Sequence, residues 1–481
     1  MKNRFTTSTG GTMGGGIDGG RRGFLRSLAG GSVLFPGLVS QLMAESGGGV
    51  TAGGDGLAPR APHGRGRARN VIFLYMSGGV SHVDSWDPKP ALMAAGGKTV
   101  SVNEFQGRKG DFKMFAKRPQ WEFARHGKCG TEVSGLFPHM AECVDELCVI
   151  RSMKSDHTNH YEATLGIHTG SFTFARPSIG SWVSYGLGTE NRNLPSFVVI
   201  APRTPYAGGQ VWASDFLPAE HQGTLVVPGT EPVANLRRRV AAVEQEIELE
   251  ALGRINRRHL GKRGDDPMLA ARMRSFETAF GMQMAMPDVF DLSRESDATL
   301  GLYGLERGST RGFAWQCLVA RRLVERGVRF VELIDVGSSD NWDAHGDMMT
   351  HVPLAKNVDR PIAGLLRDLR ARGMLEDTLV VWTTEFGRTP FNASANAAGR
   401  EHHHWVFSSW LAGAGVRAGT VYGESDELGI NVGRDAVHVH DFHATILHLM
   451  GMDHERLTYR HAGRDFRLTD VAGNVVKGIL A

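Results

Sequence analysis

The sequence predicts an α/β fold: a three-layer α/β/α sandwich around a largely parallel central sheet, with a helical insertion. Three observations carry this. Near-continuous apolar runs of strand length recur at Val71–Met76, Leu147–Ile150, Phe197–Ile200, Val328–Ile334, Leu379–Thr383 and Val406–Leu411. Strands of that kind are buried on both faces, as in parallel sheets. Helical patterns lie between several of them. Phe313–Arg326 feeds Val328–Ile334 through Gly327, a helix-terminating residue. Leu354–Arg372 is apolar at Val358, Ile362, Leu365, Leu366 and Leu369, ends at Gly373, and leads straight to Leu379–Thr383. The resulting α–β–α–β order gives a doubly wound sheet with helices on both faces. Residues 231–300 break the alternation: Ala234–Asn256 and Arg272–Met286 read as helices, an excursion from the sheet.

The chain has 481 residues, 54 Lys and Arg against 51 Asp and Glu. Residues 1–69 hold nine basic and three acidic side chains, so the rest is mildly acidic, at 45 against 48. Bulk charge therefore speaks against a nucleic-acid partner. Arg21-Arg22-Gly23-Phe24-Leu25-Arg26 stands before a short, weakly apolar stretch from Leu28 to Met43. Residues 1–44 thus resemble a twin-arginine signal, read by the Tat export machinery, which places the protein in the periplasm or at the cell surface. Residues 45–69, rich in Gly, Pro and Arg, read as a disordered linker, and 70–481 as the domain. No apolar run reaches 18 residues, so no stable transmembrane segment is expected. Cys129, Cys143, Cys148 and Cys317 include no C-x-x-C pair; Cys143 and Cys148 are expected as buried free thiols.

In open α/β sheets, ligands bind beyond the carboxyl ends of the strands. The residues after the predicted strands are polar in a consistent way. Val71–Met76 is followed by Ser77-Gly78-Gly79-Val80-Ser81-His82-Val83-Asp84, and Leu147–Ile150 leads to Asp156-His157-Thr158-Asn159-His160. Val328–Ile334 leads to Asp340, Asp343 and His345; Leu379–Thr383 leads to Glu385 and Arg388, then His402-His403-His404. Imidazoles and carboxylates gathered from several strand ends suit a divalent metal: zinc, manganese or iron, with calcium preferring an all-oxygen shell. A second group, His438, His440, Asp441, His443 and His448, is assigned to structure, with Asp441 expected to cap the helical pattern Ala444–Met450.

The motifs Arg21–Arg26, Phe73–Pro90, Leu136–Ser152, Val380–Pro390, Gly399–Trp405 and Val437–Asp470 resemble the bacterial family catalogued as domain of unknown function 1501. The order of parts is also similar to the alkaline phosphatase and sulfatase superfamily. That resemblance implies metal ligands after the first strand, matched by Asp84 with His82 and Asp87 nearby. It implies a nucleophile before a Thr-Gly pair, a place that falls on His160, before Thr169-Gly170. It also implies an acidic residue and a nitrogen ligand after a late strand, where this chain has Glu385-Phe386. No cysteine lies in the context that makes formylglycine.

The resulting expectation is an exported hydrolase of small-molecule or polysaccharide sulfate or phosphate esters, dependent on a divalent metal ion (zinc, manganese, iron or calcium) that activates a water or hydroxyl as nucleophile. His82, Asp84, Asp343, His345, Glu385 and His402 are the candidate ligands. His160 is the candidate acid/base or replacement ligand, and Arg388 a clamp for an anionic oxygen. The alternative is a catalytically silent fold that binds an anionic polysaccharide or a cell-surface partner.

Overall fold

Nine strands build the central sheet: β1 (Asn70–Tyr75), β2 (Leu147–Lys154), β3 (Phe197–Ile200), β4 (Thr224–Val226), β5 (Phe330–Ile334), β6 (Thr378–Thr383), β7 (Phe407–Gly413), β8 (Thr420–Tyr422) and β9 (Val437–His438). The structure, a computed structural model, describes residues 56–481 apart from 106, 238–239, 264–265 and 393–396. The expected export signal and the first part of the expected linker lie outside the described residues. Strand order is β8-β2-β7-β6-β1-β5-β3-β4, with β9 beside β2. β1 runs parallel to both β6 and β5, so Val71 is paired with Leu379 on one side and Phe330 on the other.

All six apolar runs of the sequence are strands, and their alternation explains why. On β1, Ile72 and Leu74 enter one core while Val71, Phe73 and Tyr75 enter the other. Burying each such aliphatic or aromatic side chain stabilises the fold by about 1.5–3 kcal/mol, so a strand apolar on both faces belongs in the middle layer. The principal helices are α1 (His160–Thr169), α2 (Ile179–Leu187), α3 (Ala242–Arg263), α4 (Pro267–Phe290), α5 (Phe313–Glu325), α6 (His351–Ala371) and α7 (Val439–Leu449), of which α3 adds no residue to either core. Trp315 and Leu318 of α5 and Val358, Ile362 and Leu365 of α6 cover the first face. Leu165 of α1, Trp182 of α2 and Phe442 and Ile446 of α7 cover the second. Glu332 is the polar residue inside β5; it is fully buried and meets His168 Nε2 at 2.7 Å.

The structure departs from the sequence reading at four places. β7 is antiparallel to both β6 and β2. No helix is described between β6 and β7, and the antiparallel return accords with the lack of the helix that usually makes a parallel crossover. The excursion helices start at Ala242 and Pro267 rather than Ala234 and Arg272. Asn235, with φ of 60°, breaks the first pattern, and Pro267 opens the second helix without needing a donor. Asp441 is not the N-cap of α7. His438 is, and Asp441 completes a capping box by accepting from His438 N at 3.0 Å. Lastly, Leu57 to Arg69 is tied down rather than free. Leu57 O accepts from Thr189 N, Arg60 N donates to Leu187 O, and Arg67 N and Ala68 N donate to Leu449 O. The four cysteines are free thiols, three of them buried. Among the described residues, no helix is long and apolar enough to cross a membrane.

Candidate metal centre

The centre lies past the ends of β1, β5 and β6. After β1 the chain turns sharply at Gly78, whose φ is 114°. A Cβ there would lie 2.7 Å from Asn341 Oδ1 and from the amide nitrogens of Trp342 and Asp343, so only glycine fits. The close approach lets the loop after β5 lie against the loop after β1. Glu385, just past β6, is fully buried and ties this seam together. Its carboxylate accepts from Gly78 N at 2.8 and 3.1 Å, from Tyr75 Oη at 3.0 Å and from Thr384 Oγ1 at 3.1 Å. It also meets His160 Nδ1 at 2.7 Å. His160 is the first residue of α1, after the N-cap Asn159.

Asp343 is the focus. Its Oδ1 lies 3.0 Å from His345 Nε2, 3.2 Å from His402 Nε2 and 2.5 Å from Arg388 Nη2; its Oδ2 lies 3.3 Å from His160 Nε2. The far nitrogen of each ring is next to an oxygen that can only accept. His160 Nδ1 faces Glu385, His345 Nδ1 faces Glu401 at 2.8 Å, and His402 Nδ1 faces the Thr158 carbonyl at 2.7 Å. Each Nδ1 therefore carries the hydrogen, and each Nε2 turns its lone pair inward. His345 Nε2 and His402 Nε2 stand only 2.8 Å apart. Lone pairs gathered so closely around a carboxylate need a cation or a proton between them. The spacing fits a metal: ligands about 2.0–2.2 Å from an ion sit roughly 3 Å from one another. His160, Asp343 and His402 each offer a donor atom within 4.8 Å of the others'. His345 is 40% exposed at its side chain while His160 is 9% exposed, so the centre opens to solvent on the His345 side.

Of the eight residues expected here, Asp343, His345, His402, His160 and Glu385 converge. Glu385 enters through His160 rather than as a ligand, since its oxygens are taken by the Gly78 amide, Tyr75 and His160. His82 and Asp84 are elsewhere. His82 Nε2 lies 3.0 Å from Gly429 O, and its ring stacks on His403. Asp84 is paired with Arg400 Nε at 2.7 Å, both residues fully buried, and also accepts from Ser81 Oγ and Gln120 N. The short helical turn His82–Asp84 buries all three of its residues, which carries both side chains away from the strand end. Arg388 is no clamp for a ligand. Its guanidinium is fully buried and donates to Gly79 O, Gly78 O, Arg400 O and Asp343.

The chain matches, over residues 68–480, the family described as "Protein of unknown function (DUF1501)". It belongs to that family. No curated protein matches it. Among solved structures, this DUF1501 protein is similar to Ps i-CgsB, at 12% identity and a TM-score of 0.37, over 81% of this chain and 73% of that one. It is also similar to the PsFucS1 sulfatase from Pseudoalteromonas sp., at 13% identity and 0.34, over 81% and 68%. A third is the alkaline phosphatase from the Antarctic bacterium TAB5, at 10% identity and 0.32, over 81% and 99%. Likenesses this distant bear on neither substrate nor mechanism.

Tyr206, Glu401 and Tyr75 of the DUF1501 centre are not among the expected site residues, although Glu401 stands beside His402 in an expected loop. Tyr206 stacks on His160 with ring centres 4.2 Å apart, and its hydroxyl accepts from Asn341 Nδ2. It follows β3, whose loop carries no imidazole or carboxylate cluster to draw attention. Glu401 fixes the His345 ring, and Tyr75 hides inside an apolar strand. Asp335, just after β5, is also buried; burial pushes its pKa up to about 7 against hydrogen bonds from Trp342 Nε1, Ser77 N and Val336 N.

The electrostatics follow the geometry. Burial opposes a charge on His160, but Asp343 and Glu385 outweigh it and raise its pKa. Burial also works against the Asp343 carboxylate, yet His160, His402 and Arg388 hold it far below the usual range. Burial lowers the pKa of His402 despite Asp343. A hydrogen on His160 Nε2 faces Asp343 Oδ2, 3.3 Å away. A raised histidine pKa contributes stability that is fully present below the unfolded value of about 6.5 and lost as pH rises through the folded one. The melting temperature of metal-free protein should therefore fall as pH rises past neutrality, and His160→Gln should flatten the fall. Parallel melting profiles for the two proteins would contradict the assignment.

Proposed function

We propose that this protein is a divalent-metal-dependent hydrolase of sulfate or phosphate esters. The observation that carries it is the inward-turned Nε2 of His345 and His402, set within 3.2 Å of Asp343 Oδ1 at the end of the sheet. The ester class rests on the resemblance of the strand-end motifs to the alkaline phosphatase and sulfatase superfamily. Asp343, His345 and His402 would hold the cation, which when bound would polarise an ester oxygen and acidify a water.

His160 faces the other oxygen of Asp343 and is the base. Its Nε2 accepts the proton of the attacking water, and Glu385 at Nδ1 stabilises the imidazolium that forms. Glu385 can do so because the Gly78 amide and Tyr75 already fix its orientation. Arg388 balances the charge of Asp343 and fastens it to the turn after β1. Tyr206 covers one face of the His160 ring and keeps that ring in one plane.

The test joins metal analysis of purified protein to turnover of 4-nitrophenyl phosphate and 4-nitrophenyl sulfate after loading with zinc, manganese or iron. Stoichiometric uptake with turnover of either ester supports the proposal. Neither uptake nor turnover leaves the catalytically silent binder of anionic polysaccharide. His160→Ala then resolves its role: a base predicts retained metal and a rate reduced by roughly 10²–10⁴. Loss of metal together with activity would make His160 a ligand instead.

A further inference from the structure

The hairpin of α3 and α4 presents a row of exposed aliphatic side chains that no described residue covers. On α3 the half-buried positions are Gln245, Leu249, Gly253, Asn256 and Leu260. They recur every three to four residues and mark the side turned to α4, where Gln245 donates to Gln283 Oε1 at 2.7 Å. At 100° per residue, Val243, Ile247, Ala251 and Ile255 fall on the opposite side as one row at i, i+4 spacing. Val243, Ile247 and Ile255 are 67, 63 and 64% exposed. Single exposed aliphatics are ordinary, but an aligned row on a helix already packed by its other side is not.

The charges beside this row say what fits it. The first half of α3 carries Glu244, Glu246, Glu248 and Glu250; the second carries Arg254, Arg257, Arg258 and Lys262. Compensation of the helix dipole explains such a bias only in the first and last turns; in the middle, Arg254 Nη2 donates to Glu250 Oε1 at 2.6 Å within the helix, and the two halves still differ in sign. A helix acidic in one half and basic in the other complements a copy of itself, provided the two run antiparallel; parallel pairing would set Glu against Glu.

We propose that this face of α3 pairs with the same face of a second copy of the chain, antiparallel about a two-fold axis near Ala251. Ile247 and Ile255 lie four residues to either side of Ala251, so the axis brings each against the other from the second copy. Small Ala251 at the crossing lets the backbones approach. The interface is isologous and therefore closes at two chains. A helix of this length spans about 33 Å, which buries less than the roughly 800 Å² per partner of a tight complex. The dimer should be reversible with concentration and weaken with salt.

Sedimentation equilibrium across the micromolar range tests this. The expected mass rises from one chain toward two with concentration. Replacing Ile247 and Ile255 together by Glu should raise the dissociation constant by roughly tenfold or more, about 1.4 kcal/mol. A second test reverses charge: one chain with the four glutamates of α3 changed to Lys, another with Arg254, Arg257, Arg258 and Lys262 changed to Glu. Each alone should stay monomeric, and their mixture should pair. Native protein that is monomeric throughout, as it would be were the face covered by the chain's own N-terminal residues, overturns the proposal. So does a dimer that both sets of variants leave intact, or a mixture that fails to pair.

Discussion

Asp343→Asn should abolish retention of a divalent cation and reduce ester turnover to the level of the metal-free protein. Asparagine keeps the volume and leaves Arg388 an oxygen to donate to, so the surrounding loops stay folded. It removes the charge that faces His160, His345 and His402 at 3.0–3.3 Å. The effect should exceed the 10–100-fold loss of affinity usual for residues that only orient a ligand. Glu385→Gln provides that comparison. It leaves the ligands in place but loosens the His160 tautomer, so metal should be kept while turnover falls. Metal content from elemental analysis, read beside thermal melts, separates the two. An Asp343→Asn protein that still takes up one equivalent of metal and turns over normally would show that the centre is drawn around the wrong carboxylate.

Arg400→Met should cost about 3–5 kcal/mol of folding stability, the largest effect we expect outside the centre. The Arg400 guanidinium and the Asp84 carboxylate are both fully buried, 2.7 Å apart. Burial opposes the charge on Asp84, yet Arg400, Ser81 and the Gln120 amide hold its pKa below the usual range. Without Arg400 that charge is left in the interior, while the Thr389, Lys117 and Arg118 carbonyls lose their donor. Adding Asp84→Asn to Arg400→Met should recover part of the loss, since the stranded charge is gone. Urea denaturation of the three variants measures this. Asp84→Asn alone should leave metal content unchanged. Loss of metal at unaltered stability would restore Asp84 to the ligand set from which its pairing with Arg400 removes it.

These two cases mark the boundary of what a reading of the sequence could reach. The strands were legible because burial on both faces leaves a local signature, a short run with no polar alternation, and β1, β3 and β6 match it closely. The helices α5 and α6 were legible through their period and their glycine stops. Convergence of His160, Asp343, His345, Glu385 and His402 was legible too, because strand direction in a parallel sheet sends all the following loops to one edge. Within those loops the sequence by itself does not separate His82 from His345. Both are imidazoles shortly after a buried strand. Only the tertiary structure turns one inward to the Gly429 carbonyl and sets the other against Asp343 and Glu401. Arg388 is the same lesson in a cation. Its position beyond β6 was readable, but whether its donors are free depends on the carbonyls of Gly78 and Gly79, some 310 residues earlier. Asp84 and Arg400 stand 316 residues apart. Secondary structure is fixed by neighbours within a turn or a strand, so it is written locally. The role of a polar side chain is fixed by whichever distant partner satisfies it first, and that choice is made only when the layers close.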